Sequence, residues 1–315
     1  MIKFELQCKI KVDIDSILCL LILKDGRIGI GSNNSFIKIF KLNTFYSNLT
    51  IKEHKKGITS LTQTNKLKFN NIISTSKDST IKIFEITDNS YKIIQIIEHY
   101  KKVNKFIELK NNIYDFCSCS DDGSLNLYNI NKNKNKKEII IKGFTFNYND
   151  VIFNIIETNK NHIAVIFSLN YHCLKFIDIE NKQVKKSIEQ ISMIGNNSIC
   201  LFKYQYLVIG GSYMITIIDI LKYSKTIIDI NSWKIYSIIN FYDNEKYILY
   251  SDDDGNIYTY ELTLDNFSEI NLIEKSYYKV SYSSSVFTVI FDKNNKKIIT
   301  GGNNSTINIF NCFQQ

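Results

Sequence analysis

One phrase governs what this chain can fold into: Ser-x-Asp-x-x-Ile-x-Ile-aromatic, written as "STSKDSTIKIF" at 74–84. It returns as "SCSDDGSLNLY" (118–128), "SDDDGNIYTY" (251–260) and "TGGNNSTINIF" (300–310). Looser copies stand at "GSNNSFIKIF" (31–40), "SLNYHCLKFI" (168–177) and "IGGSYMITII" (209–218). The phrases end on Phe40, Phe84, Tyr128, Ile177, Ile218, Tyr260 and Phe310, at separations of 44, 44, 49, 41, 42 and 50 residues. Two alternating apolar runs around a polar turn read as strand, turn, strand. A repeat of this length accommodates four short strands. In the second unit these fall at 57–63, 71–76, 80–86 and 91–99, with Lys77–Asp78 as the central turn.

One four-stranded sheet cannot bury both of its faces alone, so the units must stack on their neighbours. Radial closure achieves that while leaving only short edges. The expectation is an all-β, seven-bladed β-propeller of four-stranded antiparallel blades, a single domain over residues 1–315. After "TINIFNC" (306–312) the seventh unit lacks its fourth strand, and "KFELQCKI" (3–10) belongs to no unit. Pairing these leftovers, so that the N-terminal strand completes the last blade, removes an open edge.

Composition agrees with a strand-built core. Hydrophobic residues make up 44% of the chain and aromatics 13%, with Ile, Tyr and Phe prominent and no proline. These residue types favour strands. The net charge of +8 is carried almost wholly by lysine, since Arg27 is the only arginine. Polar runs such as "NKNKNKK" (131–137) fit a coding bias toward Asn and Lys. The seven cysteines are odd in number and lack zinc-type spacing, and most fall inside apolar alternation. They read as free buried thiols of a reducing compartment, with Cys117 and Cys119 pointing the same way from one strand. No apolar run is long enough to span a bilayer, and the N-terminus lacks a signal-like apolar region. The expectation is a soluble intracellular protein, cytoplasmic or nuclear, monomeric on its own, without cofactor or metal.

The phrase resembles the WD-repeat family. There a His after the fourth strand, a Ser or Thr in the second, an Asp in the turn and a Trp in the third form a hydrogen-bonded tetrad. The second unit offers His54, Ser74 or Ser76, Asp78 and Phe84 for these places, with Ser76 taken as the serine. The third offers His99, Ser118 or Ser120, Asp122 and Tyr128, with Ser120 taken. The tetrad Trp is missing throughout, and Asn34 and Asn304 replace the turn Asp in the first and seventh units. The resemblance implies a seven-bladed propeller serving as a non-catalytic platform for other proteins.

Candidate chemistry is sparse. No Ser–His–Asp constellation or nucleophile elbow suggests itself, and His54 and His99 take the tetrad role. His162 opens a predicted second strand, and His172 lies beside a turn. In "YSDDDGNIYTYE" (250–261), Asp252, Asp254, Gly255 and Glu261 fit places of a calcium loop, but Tyr250 stands at the first ligand place. The same residues align with the repeat turn, which is the preferred reading.

Lysine pairs at Lys55–Lys56 and Lys101–Lys102 follow the tetrad histidines, and Lys77 precedes the turn Asp. Asp121 and Asp253 hold the place of Lys77 in other units, and Trp233, the only tryptophan, lies in the loop before the sixth. By the repeat grammar all eight share one face and are the candidate partner-binding residues, with lysines steering acidic partners and Trp233 anchoring by burial. The alternative readings are a component of an RNA–protein particle holding phosphates on the lysines, and an enzyme or calcium-dependent module. The near absence of arginine argues against phosphoinositide and phosphopeptide readers, which rely on bidentate Arg contacts.

Overall fold

The computed structural model describes all residues except 1, 13, 42–46, 69, 112, 133–137, 160, 168–172, 192–197, 242–245, 265–269, 282–283 and 315. His172, placed beside a turn by the sequence, lies outside the described residues. The described residues form seven four-stranded antiparallel sheets and no helix, the blades of a seven-bladed β-propeller. In chain order the blades cover residues 17–51, 58–98, 103–147, 152–188, 199–229 and 235–279, and the seventh joins 286–314 to 2–11. In that last blade the N-terminal strand Ile2–Lys11 pairs antiparallel with Thr306–Gln314, Phe4 opposite Cys312 and Ile10 opposite Ile307. The leftover segments at the two ends are therefore partners, as expected.

The strand limits of blade 2 follow the sequence pattern closely: Ile58–Thr62, Asn71–Ser76, Thr80–Ile86 and Tyr91–Glu98. Second strands are buried along all or nearly all of their length, as in Asn71–Ser76 and Tyr247–Asp252, because both faces of the sheet are covered there. Fourth strands are largely exposed, as in Gln183–Ile188. This gradient explains why the second strands read as nearly unbroken apolar or small-residue runs, whereas the fourth mix charges into the alternation.

The chain divides into two compact units, one of Met1–Leu20 with Ile191–Gln315 and one of Leu21–Gln190. In each, the core lies between facing blades. Within Leu21–Gln190, Ile73, Ile81 and Ile83 of blade 2 meet Phe106, Phe116 and Tyr128 of blade 3. Cys117, Cys119, Leu125 and Leu127 of blade 3 meet Ile155, Val165 and Phe167 of blade 4. In the other unit Phe202, Val208 and Ile217 of blade 5 pack on Ile248, Tyr250 and Leu262 of blade 6. Leu249 and Phe241 of blade 6 pack on Ile2, Phe4, Val289 and Phe310 of blade 7. Each fully buried side chain of this size contributes roughly 1.5–3 kcal/mol of transfer free energy. All seven cysteines are free, and burial raises the Cys119 thiol to about 12.

The turns between second and third strands share one backbone device. Ser35, Ser79, Gly123, Gly255 and Ser305 have positive φ, between 56° and 81°, and each follows an Asn or Asp. That Asx side chain caps the turn in several blades: Asp78 Oδ1 accepts from Thr80 N at 3.0 Å, and Asp122 Oδ1 from Ser124 N at 2.8 Å. Asn304 Oδ1 accepts from Thr306 N at 3.1 Å. Such caps tolerate a left-handed neighbour and favour Asp, Asn, Ser and Gly at these places.

Candidate functional site

The tetrads form where the phrase places them, with one correction. In blade 2 His54 is buried, its Nδ1 lies 2.9 Å from Asp78 Oδ2 and its Nε2 lies 2.7 Å from Ser74 Oγ. The serine is therefore Ser74 and not Ser76. Ser76 Oγ instead donates to the Lys56 and Gly57 carbonyls at 2.9 and 3.0 Å. Blade 3 repeats the correction. His99 Nε2 meets Ser118 Oγ at 2.8 Å, while Ser120 Oγ donates to Lys101 O at 3.2 Å. Residues two apart point to the same side of a strand, so both serines are candidates by pattern. Depth along the strand decides between them, because the imidazole reaches past the strand end that the loop carbonyls cover.

A carboxylate only accepts, so His99 Nδ1 donates to Asp122 Oδ2, 3.2 Å away, while Nε2 is hydrogen-bonded to Ser118 Oγ. The Tyr128 hydroxyl shares a hydrogen bond with Ser118 Oγ at 2.8 Å. This chain of hydrogen bonds ends on the acid, and tyrosine fills the fourth place in it. In blade 2 Phe84 occupies the corresponding place with its ring edge-on to His54, centroids 6.5 Å apart, and offers no donor. Burial opposes the charge on Asp78, but hydrogen bonds from His54, Thr80 and the Lys55 N–H outweigh it and hold the carboxyl well below the usual range. Asp122 is held low in the same way, against burial, by His99, Ser124 and the Tyr100 N–H.

The tetrad acids also fix the loops that carry the lysines. Lys55 N donates to Asp78 Oδ2 at 2.8 Å, and Tyr100 N donates to Asp122 Oδ2 at 2.9 Å. Thr59 Oγ1 donates to Val103 O at 2.6 Å, joining the two loops just beyond their lysines. Lys55, Lys56 and Lys101 are exposed; Lys77 and Lys102 are half-buried. Lys77 N donates to Gly57 O, Asp121 N to Lys102 O and Asp253 N to Lys234 O. Lys77, Asp121 and Asp253 are thus structurally equivalent, as the repeat implied. Lys77 Nζ reaches Asn33 Oδ1 at 2.8 Å, and Asp121 Oδ1 accepts from Asn104 at 2.6 Å. Lys55, Lys56, Lys77, Lys101, Lys102 and Asp121 come together in the unit Leu21–Gln190.

Trp233 and Asp253 belong to the other unit, at the corresponding strand ends of blade 6. Trp233 is 52% exposed, with Lys234 Nζ 4.9 Å from its ring centroid. Tyr213, 55% exposed, sits beside it: its N–H is shared between the Ser232 and Trp233 carbonyls at 3.1 and 3.2 Å. Sequence reasoning missed Tyr213 and also Tyr100, which is 96% exposed. Only its place directly after the tetrad His marks Tyr100 out, since a loop ring has no periodicity to betray it.

The segment 250–261 is a strand, a turn and a strand, and its acids diverge. Asp252 is buried, accepting from Asn256 N at 2.7 Å, Asn256 Nδ2 at 2.9 Å and Ser232 Oγ at 3.2 Å. Glu261 pairs with Lys246 and Lys275, both at 2.6 Å. His162 Nδ1 bonds Asn159 Oδ1 at 2.7 Å, and its Nε2 lies 3.8 Å from Asp178. Among the described residues no group of three His, Cys, Asp or Glu side chains is arranged to hold a metal. No helix there is long and apolar enough to cross a membrane.

No curated protein matches the chain. Two segments, 45–85 and 275–311, match the WD domain, G-beta repeat, family. Each match runs from the fourth strand of one blade through the third strand of the next, which is the span over which a tetrad assembles. The chain is a seven-bladed β-propeller whose segments through blades 2 and 7 are similar to the WD domain, G-beta repeat.

Proposed function

We propose that the chain, as one domain, is a non-catalytic interaction platform within a multiprotein assembly. Propellers of the WD type are generally non-catalytic protein-interaction scaffolds. The observation that carries the reading is the use made of the tetrads. Asp78 and Asp122 spend their second carboxylate oxygens on the backbone of Lys55 and Tyr100, while Ser76 and Ser120 hold the carbonyls of Lys56 and Lys101. Buried polar groups thereby fix surface loops, and association with fixed loops loses little conformational entropy. Lys55, Lys56, Lys77, Lys101, Lys102 and Asp121 form a contact surface on one unit, and Trp233 and Asp253 form a separate one on the other.

The test is capture from the native cell with the full chain, comparing wild type with a variant reversed in charge at Lys55, Lys56 and Lys101. Proteins recovered in stoichiometric amounts with the wild type and lost with the variant support the platform. Recovery of none, or the same set with both, overturns it. The nucleic-acid reading is weaker, because Asp121 interrupts the lysines.

A further inference from the structure

Two turns of the chain share a backbone and differ in their side chains. Residues 179–182 of blade 4 and 220–223 of blade 5 each join a third strand to a fourth, directly after a buried Asp. Asp178 Oδ1 accepts from Glu180 N and Asn181 N, both at 3.0 Å. Asp219 Oδ1 accepts from Leu221 N and Lys222 N at 2.8 and 3.1 Å. Lys182 and Tyr223 close the two turns with the same φ of 55°. Glu180 and Lys182 therefore hold the places that Leu221 and Tyr223 take in blade 5. The turn itself does not call for an apolar residue, yet Leu221 is there and 72% exposed.

A second apolar side chain stands on the neighbouring turn. Tyr204, 69% exposed, lies between the first and second strands of blade 5. Gln205 ties the two turns together: its carbonyl accepts from Ile220 N at 2.9 Å, and its side chain donates to Asp219 Oδ2 at 3.0 Å. After Tyr100, Leu221 and Tyr204 are the most exposed large hydrophobic residues among those described. The stretches 202–206 and 219–225 carry three lysines, Lys203, Lys222 and Lys225, against one carboxylate, Asp219. With that acid counted at full charge, this end of the blade keeps two positive charges in excess.

We propose that this end of blade 5 rests on an anionic bilayer surface, with Leu221 at the acyl boundary, Tyr204 at headgroup level and Lys203 and Lys222 among the lipid phosphates. A bilayer takes up a protruding apolar side chain without a shaped pocket, which a protein groove must supply. Tyrosine favours the membrane–water interface, and lysines are drawn to an anionic leaflet. So small an apolar contact gives shallow, reversible attachment and needs no spanning segment. The proposal goes beyond the platform reading and uses none of its residues, so each stands or falls by its own variants.

The experiment is co-sedimentation of the full chain with vesicles of phosphatidylcholine alone and of an equal mixture with phosphatidylserine. The expected result is saturable binding to the mixed vesicles that weakens with salt, and little binding to phosphatidylcholine. L221E/Y223K gives blade 5 the pair that blade 4 carries and leaves net charge unchanged. It should bind at least about tenfold more weakly. K203Q/K222Q should lose about as much, whereas K92Q/K186Q, the same charge loss at exposed outer-strand positions, should stay within about twofold of wild type. An unchanged melting midpoint confirms that each variant is folded.

No binding to the mixed vesicles, or full binding by L221E/Y223K, overturns the proposal. Equal loss in K92Q/K186Q reduces the effect to net charge and overturns it too. Concentration-dependent dimers of the wild type without vesicles, absent in L221E/Y223K, would make the same residues a contact between copies of the chain and overturn it in that favour.

Discussion

Tyr128 and Ser118 face each other across blade 3 with their hydroxyl oxygens 2.8 Å apart, and both side chains are fully buried. The Ser118 hydroxyl is committed to His99, so the bond gives the tyrosine a partner that water cannot supply there. Removing it by Tyr128→Phe should cost about 1 kcal/mol, the usual net value of a buried neutral hydrogen bond. In blade 2, Phe84→Tyr creates the missing donor opposite Ser74 and should gain up to about 1 kcal/mol if the ring keeps its place. Urea unfolding of both variants checks the pair. Opposite signs are expected, and equal losses would show that ring packing alone matters here.

Acid should unfold the protein through its tetrads. The carboxyls of Asp78 and Asp122 lie well below the unfolded value, despite burial, because His, Thr or Ser, and backbone N–H groups bond their charged forms. For an acid with a depressed folded pKa, the unfolded chain binds the proton more tightly. The stability these groups contribute is present above about pH 4 and is lost as pH falls below it. Asp78→Asn should be less stable than wild type at neutral pH, and the difference should shrink as pH drops. A constant difference across the acid range would show that the carboxylate's charge is not what matters.

Much of this architecture was legible because a period-2 pattern, repeated with a fixed turn, determines strands and pairing together. The limits of blade 2 and the pairing of Ile2–Lys11 with the last strand follow from that alone. The tetrad serines were not legible, since Ser74 and Ser76 share a face and differ only in depth. The exposure of Tyr100 and Tyr213 was hidden for another reason: a ring in a loop points where the backbone bonds of its neighbours send it. In blade 6 the repeat placed the turn correctly, yet the buried acid there is Asp252, two residues before the Asp that aligns with Asp78. Tyr250 stands at the place of Ser74, buried, with its hydroxyl 3.2 Å from Ser232 Oγ.

Asp252 makes the opposite pH prediction. Burial pushes its carboxyl upward, against hydrogen bonds from Asn256 and Ser232, and no cation stands in ion-pair range among the described residues. A raised folded pKa in an acid means that stability is fullest below the unfolded value of about 4 and is lost as pH rises through the folded pKa. Asp252→Asn keeps the shape and removes the charge. Its stability relative to wild type should rise from pH 4 toward neutrality in urea titrations, and a flat difference would count against the assignment.

Backbone conformation in the turns gives a pair of opposite effects. Ser79 holds φ at 72°, where a side chain is strained, so Ser79→Gly should stabilise blade 2 by up to about 1 kcal/mol. Gly123 occupies the same place in blade 3 at φ 79°, and a Cβ there would press into the Tyr148 carbonyl oxygen. Gly123→Ala should therefore cost more than about 2 kcal/mol, since the obstacle is backbone and cannot swing away. Thermal melts would separate the two outcomes, and a neutral Gly123→Ala would mean that the loop after the fourth strand yields.

Trp233 offers both a test and a signal. Its ring is half exposed, beside Tyr213 and under Lys234, so Trp233→Ala should change unfolding stability by less than about 0.5 kcal/mol. Aromatic anchors at the centre of an interface cost about 2 kcal/mol or more when truncated. A captured partner should therefore bind Trp233→Ala at least about thirtyfold more weakly. As the only tryptophan, the residue also reports on its own surroundings: emission of the free chain should resemble that of a hydrated indole and move to the blue when the partner covers it. Partner binding with neither the emission shift nor the loss of affinity would place the interface away from Trp233, and the lysine loops of blades 2 and 3 would then account for association without it.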